Sequence, residues 1–219
     1  MKTLSPIHST SWRPHIVSAL LGLCAAPLLA QTLTLHYQER PLYSQADASG
    51  QVTGLVATPA ADALGRAGIA FHWALTPNQR QLALIQDGTS LHCGIGWFRT
   101  PERATRGKFS LPLSQDQPFA ALARADAPLR DGLRPEQALA AAGSTLLLKE
   151  GYSYGPQLDA LLIGVRTERT HADVAQMVRM LAAGRAAWMI VTPDEARELL
   201  AQTGLNDAGL RVLPLVGLQ

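Results

Sequence analysis

An α/β fold follows from three features of the chain. Short apolar runs of strand length alternate with segments of helical period. Thr-Pro pairs stand where extended chain should give way to a helix, at Thr58-Pro59, Thr76-Pro77, Thr100-Pro101 and Thr192-Pro193, and glycines close the helical segments at Gly68, Gly88, Gly143 and Gly204. Threonine caps the open amides of a first helical turn, proline fits its first position, and glycine accepts the left-handed backbone that ends a helix. Strands that alternate with helices build parallel sheets.

Taken in order, L-T-L-H-Y at 33–37 alternates as a first strand. Residues 39–44 leave the sheet, and Asp47-Ala48-Ser49-Gly50 turns the chain toward Thr53-Gly54-Leu55. A helix over 59–67, a strand over 69–73, a helix over 77–87 with Leu82 and Ile85 inward, and a strand over 91–95 complete a β-α-β-α-β run. Cys93 in that last strand reads as a small buried hydrophobe. Gly94 and Gly96 leave room for close approach to the backbone. Thr100-Pro101-Glu102 then starts a helix at the carboxyl end of the strand, with Glu102 at its positive end. Open α/β sheets place ligands at such junctions, and Arg103 stands there with a planar fork of donors suited to a carboxylate. A surface turn with solvated arginines is the competing reading. Trp97 and Phe98 leave the strand on opposite faces, so one of them at most lines a cleft. Arg80 reads as an exposed first-turn residue.

Residues 111–113 and 118–123 are extended. The charged stretch 124–134, broken by Pro128 and Gly132, marks a boundary between 31–124 and 125–219. Beyond it come a helix over 135–142, a buried strand over 145–149, a glycine-flanked loop over 150–155 and a helix around 158–163. A helix over 170–183 has Thr170 as its cap, with Asp173 answering and Val174, Met177, Val178 and Leu181 in one stripe. Residues 184–191 follow, then a helix over 193–203 and a last strand over 210–216. Gln79 and Glu195 hold the capping-box position of their helices.

At 219 residues, with 47% hydrophobic and 16% charged residues, the composition is that of a globular protein of one or two domains. The first thirty residues read differently. Lys2 and Arg13 precede an apolar run at 16–30 that is short for a membrane span and ends in small residues, as a secretory signal does, with cleavage expected near Ala30. A retained anchor, or a lipid anchor at Cys24, are the competing readings. Without Lys2 and Arg13, 17 of the 19 basic residues remain against 17 acidic ones, so the formal +2 belongs to the leader. A neutral chain lacks the basic footprint of nucleic-acid binding. It would keep one cysteine, Cys93, and form no internal disulfide.

G-W-F-R-T-P-E-R at 96–103, followed six residues after Arg103 by Phe109-Ser110, resembles the first-lobe signature of bacterial periplasmic solute-binding proteins of the polar-amino-acid type (extracellular solute-binding family 3), roughly G-x-T-x-T-x-E-R-x-x-x-x-x-F-S. The resemblance implies a two-lobe, type 2 periplasmic-binding-protein-like fold, each lobe a small mostly parallel sheet flanked by helices, with the ligand in the cleft between them. It implies that Arg103 grips a ligand carboxylate and that Gly96 contacts the ligand. Phe98 stands where the family binds through a threonine, and Tyr43 is the loop aromatic that stacks on the ligand. Gly151, Tyr152 and Ser153 would supply backbone donors facing Arg103. Two family acids are replaced, by Thr58 and by Thr192, the latter at the position that pairs with a ligand amino group. An ammonium group needs an opposite charge when desolvated, so a carboxylate without an ammonium is the expected ligand. The family's return crossing and closing helix have no counterpart before Gln219, which would leave the first lobe a layer short.

The implied function is periplasmic binding of a small anionic or carboxylate-bearing molecule by a monomer that feeds an inner-membrane permease of an ABC importer. A sensor or interaction protein on the same fold is the alternative. Catalysis has little support, because no Ser-His-Asp spacing, metal pair or phosphate loop occurs. The histidines His36, His72, His92 and His171 are scattered, and no cofactor or metal is expected. An enzyme acting on a small carboxylate would have to draw its acid or base from Glu39 or Glu150.

Overall fold

The computed structural model describes residues 32–141, 143–206 and 209–217. The expected leader at 1–30 therefore lies outside the described residues. The first strand, β1 (Leu33–Tyr37), is followed by a two-stranded hairpin of β2 (Gln45–Ala46) and β3 (Val52–Thr53), then α1 (Ala57–Arg66), β4 (Phe71–Leu75), α2 (Asn78–Asp87), β5 (His92–Gly94) and the short α3 (Pro101–Ala104). β1 runs parallel to β4 on one side and to β5 on the other. The strand–helix alternation thus produces the expected parallel sheet, in the order β4-β1-β5.

The Thr-Pro device works at two of its four positions. Thr100 and Thr192 cap, each accepting a hydrogen bond from the amide three residues on. At the other two the threonine is diverted to a different partner. Thr58 lies inside α1 and accepts from the Gly54 amide, and the Thr76 hydroxyl faces His36 while α2 starts from Pro77 without a side-chain cap. Cys93 is exposed, contrary to the buried role expected from its apolar strand. It pairs in register with Leu35, but it stands on an edge strand, and the cover that buries Leu35 does not extend to it.

The other face of this sheet gathers three of the four histidines that looked scattered. Thr34 is level with both His72 and His92, and His36 lies two residues further along β1. The His36 ring is engaged at both nitrogens, Nδ1 with the Thr76 hydroxyl at 2.9 Å and Nε2 with His92 Nδ1 at 3.0 Å. Burial holds the His36 imidazole below its usual range, and the neighbouring His92 and His72 push the same way. The unfolded chain therefore binds a proton below about pH 6.5 that the folded chain refuses, so stability is complete above that pH and falls as pH drops below it. Thermal melts between pH 7.5 and 5 are expected to show a loss of at most about 1.4 kcal/mol per pH unit for this single proton. The His36→Gln variant should have a flatter profile. An equal slope in wild type and variant would assign the effect to other groups.

The second sheet is built from β6 (Ala120–Arg124), β7 (Leu146–Lys149), β8 (Glu168–Thr170), β9 (Trp188–Val191) and β10 (Leu210–Pro214), in the order β10-β6-β9-β7-β8. Its helices are α4 (Pro135–Ala140), α5 (Pro156–Leu161), α6 (Val174–Ala182) and α7 (Pro193–Thr203). β7 runs parallel to β8 and β9, whereas β6 runs antiparallel to β9 and β10. β6 belongs to the second sheet, so the crossing from one sheet to the other precedes Ala120, ahead of the boundary expected at residue 124. β8 escaped the sequence reading, and Thr170 is its last residue. Asp173, not Thr170, caps α6.

Alternate residues of the central strands feed two separate cores. Ala121, Leu146, Leu148, Trp188 and Ile190 pack toward α4 and α5. Leu122, Leu147, Met189 and Val191 pack toward the α6 stripe of Val174, Met177, Val178 and Leu181 and toward α7. Strands covered on both faces read as continuous apolar runs, as T-L-L-L-K and W-M-I-V do. The first sheet has a much smaller core of Tyr37, Val52 and Ala57.

Candidate functional site

The segment after β1 folds into a tight loop. The Tyr43 and Ser44 amides both donate to the Arg40 carbonyl, and the Arg40 amide donates to the Ser44 carbonyl. Leu42 at its tip has φ 74°, a left-handed backbone that a branched side chain adopts only when its surroundings force it. Gly54 lies directly beneath. A Cβ there would stand 2.4 Å from the Tyr43 carbonyl oxygen, so this approach admits only glycine. The strain has a product, because Arg40 and Tyr43 are presented side by side with the guanidinium 4.0 Å from the centre of the Tyr43 ring.

Three side-chain contacts carry the loop across to the second sheet. Arg40 Nε and Nη2 donate to Glu195 Oε1 and Oε2 at 2.6 and 2.8 Å, a bidentate pair. The Tyr43 hydroxyl meets Thr192 Oγ1 at 3.1 Å, and the Tyr152 hydroxyl donates to Gln38 Oε1 at 3.2 Å. Thr192 and Glu195 belong to the cap and first turn of α7, where an unsatisfied helix end favours a carboxylate. Burial works against the Arg40 charge, but the Glu195 carboxylate outweighs it and holds the guanidinium firmly protonated. Burial also pushes the Tyr43 and Tyr152 hydroxyls up, and that of Tyr154 to about 12, so all three are neutral; the Tyr152 hydroxyl donates, whereas that of Tyr154 accepts from the Lys149 amide at 3.0 Å.

Arg103 forms a second junction. Its Nη2 donates to the Gly151 carbonyl and its Nη1 to the Phe98 carbonyl, both at 3.2 Å, and its guanidinium lies 4.6 Å from the Trp97 ring centre. The Trp97 indole is held in turn by Gln81 Oε1 at 2.9 Å. Arg103 has no carboxylate within ion-pairing distance among the described residues, and burial lowers its pKa, with Asp159 and Glu102 opposing from further away. Asn78, at the start of α2 and buried, has its Oδ1 without a partner. Lys149 is likewise desolvated, its ammonium donating to the Ala172 carbonyl at 2.7 Å.

The expected site residues thus divide. Arg103 and Gly151 meet across the two sheets, and Tyr43 and Thr192 meet beside them. Tyr152 joins the same region through Gln38. Phe98 takes part through its carbonyl, with its ring at the surface, and Gly96 is exposed with φ 73°. The 151–153 loop turns the Gly151 carbonyl to Arg103, where its amides were expected to face a ligand carboxylate held by Arg103. The Tyr152 amide is spent on the Lys149 carbonyl, and the Ser153 hydroxyl donates to Asp159. Arg80 is exposed, and Glu39 Oε1 accepts from the Ala46 amide. Arg40 and Glu195 went unrecognised as site residues. Glu195 was read as half of a capping box, but its side chain faces Arg40 and only its amide serves the cap.

Between Arg40, Lys149, Tyr152, Tyr154, Met177 and Glu195 a cavity of about 20 Å³ remains, room for a single water. A wider opening of about 190 Å³ lies between Glu39 and Pro41 on one side and Asp173, Arg179 and Gln202 on the other. Among the described residues no three His, Cys, Asp or Glu side chains converge to hold a metal ion. No helix among them is long and apolar enough to cross a membrane.

No family model and no curated protein matches the sequence. Solved structures do match the fold. The chain is 19% identical to a structure reported for glutathione import in Gram-positive bacteria via GshT and the cystine ABC importer TcyBC of Streptococcus mutans, with a TM-score of 0.69 over 87% of this chain and 79% of that one. It is 18% identical to the holo form of ArgBP from T. maritima, with a TM-score of 0.63 over 85% and 78% of the two chains. It is also 19% identical to a histidine kinase sensor domain with similarity to periplasmic binding proteins, with a TM-score of 0.61 over 84% and 76%. At these identities the likeness concerns the fold.

Proposed function

We propose that this chain, whose α/β fold matches that of periplasmic solute-binding proteins, binds a small carboxylate-bearing molecule between its two sheets. Residues up to the crossing before Ala120 act as one lobe and the second sheet with its helices as the other. The carrying observation is Arg103, a desolvated guanidinium at the junction of the sheets that faces two backbone carbonyls and no carboxylate. A half-buried cation satisfied only by neutral dipoles gains from an anion. Trp97 backs the guanidinium, Gly151 and Tyr152 form the opposite wall, and Asn78 Oδ1 is an acceptor for a ligand N–H or a water. Thr192 is tied to Tyr43 and offers no charge for an ammonium group, which favours a carboxylate without one. Export to the periplasm by the leader and delivery to an inner-membrane permease complete the reading.

A thermal-shift screen against keto acids, dicarboxylates, aromatic acids and amino acids tests it. Ligand at a hundredfold over its dissociation constant should add about 2.7 kcal/mol, or roughly 5–11 °C for a chain of this length. In Arg103→Ala that shift should vanish. A ligand that shifts both proteins equally would remove Arg103 from the site. If no acid shifts the wild type, the sensor reading, favoured by the likeness to a kinase sensor domain, takes precedence.

A further inference from the structure

We propose that Arg40 is a built-in ligand. Its guanidinium fills a cation site made by Glu195 and Tyr152 on the second-sheet side and by Tyr43 from its own loop, and this occupancy latches the two sheets together in the absence of solute. The inference rests on the two-lobed binding reading above and adds to it what governs opening.

The site has the chemistry of a guanidinium receptor. Glu195 is 1% exposed, points both oxygens at one planar fork, and has no other side-chain partner among its described hydrogen bonds. The Tyr43 and Tyr152 ring centres lie 4.0 and 5.9 Å from the Arg40 guanidinium carbon. The occupant is presented by a loop that tolerates a left-handed Leu42 and a glycine-only approach at Gly54. Backbone strain of this kind persists only where the surrounding structure over-determines it. The two partners are 155 residues apart in sequence, one on the loop after β1 and the other on α7 beside the second sheet, so the pair stabilises the closed arrangement specifically. With the pair formed, the cavity beside it, about 20 Å³, has no room for a solute of amino-acid size. A solute that is to enter between Arg40, Tyr152 and Glu195 must therefore wait for the latch to release, and its apparent affinity for that place is reduced by the fraction of molecules that are latched.

Arg40→Ala leaves a guanidinium-shaped vacancy next to Glu195, and methylguanidinium at low millimolar concentration is the probe that fits it. Small-angle scattering and thermal melts are read together. The wild type is expected to be compact without solute. Arg40→Ala should show a larger radius of gyration and a melting temperature lower by roughly 4–8 °C. Methylguanidinium should return both toward the wild-type values, and methylammonium, which lacks the fork, should do so far less. The Arg40→Ala/Glu195→Gln double variant should not respond. If circular dichroism shows Arg40→Ala to be unfolded, Arg40→Lys serves instead, with partial opening expected. A wild type that is as open as the variant overturns the latch, and so does a variant as compact as the wild type or equal rescue of the double variant. The probe carries no carboxylate, so an empty solute screen with a positive rescue refutes the ligand reading alone. A hit in the screen with no rescue refutes the latch alone.

Discussion

Glu195→Ala is expected to lower the melting temperature by about 6–12 °C, more than Arg40→Ala does. Removing one partner of a buried pair strands the other, and the usual cost is about 3–5 kcal/mol. The Arg40 side chain keeps 21% of its surface exposed while that of Glu195 keeps 2%, so the lower end applies. At about 2–4 °C per kcal/mol for a chain of this length, 3 kcal/mol gives the stated range. The asymmetry between the two variants has a physical origin. Without Glu195, the Arg40 guanidinium sits against two aromatic rings with no carboxylate in ion-pairing distance, Asp116 beyond Tyr43 being the nearest remaining acid that acts on it. Without Arg40, the Glu195 carboxylate still lies in the first turn of α7, where the helix end favours negative charge. The double variant should cost less than the sum of the singles, because the second substitution removes a charge already stranded. Additive losses in differential scanning calorimetry would show that the pair contributes no coupling.

Trp188→Ala is expected to cost about 3–5 kcal/mol, the usual range for a large aromatic truncated in a packed core. Trp188 is 1% exposed and sits in β9, the middle strand of the five-stranded sheet, against α4 and α5. Its indole Nε1 has no hydrogen-bond partner, so packing alone holds it. Trp188→Phe should therefore cost well under half as much, since it keeps most of the volume and discards an unsatisfied donor. Urea titration separates the two outcomes, and a Phe variant as unstable as the Ala variant would show that an unseen partner holds the indole. Trp73, half-buried over the small first core, should lose far less on truncation.

Much of this architecture was readable from local pattern. The stripe of α6, the glycine stops at Gly88 and Gly204 and the Thr-Pro starts at α3 and α7 are each decided within a few residues, so the sequence carries them openly. The position of Arg103 was readable for the same reason, because strand end, cap and first helical turn are contiguous. β8 was not, since Glu168–Thr170 is a short polar edge strand whose partner lies well back in the chain, at Leu147–Lys149. Thr170 and Asp173 are both capping residue types, Asp the stronger, and the helix uses Asp173 because the chain up to Thr170 is held in β8. Cys93 was misjudged because an apolar strand pattern says which face a residue takes, not whether anything covers that face at a sheet edge. The Arg40–Glu195 pair had no local trace, each member having a plausible reading of its own.

The position of β6 also sets a timetable for folding. This strand, at residues 120–124, lies between β9 and β10, whose residues 188–191 and 210–214 are made much later. Until they emerge from the ribosome, β6 exposes two unpaired edges and two apolar faces, a state prone to association. The first sheet, complete by residue 94, can assemble early, but the second must wait for nearly the whole chain. Its closure pairs segments far apart in sequence and should be slow.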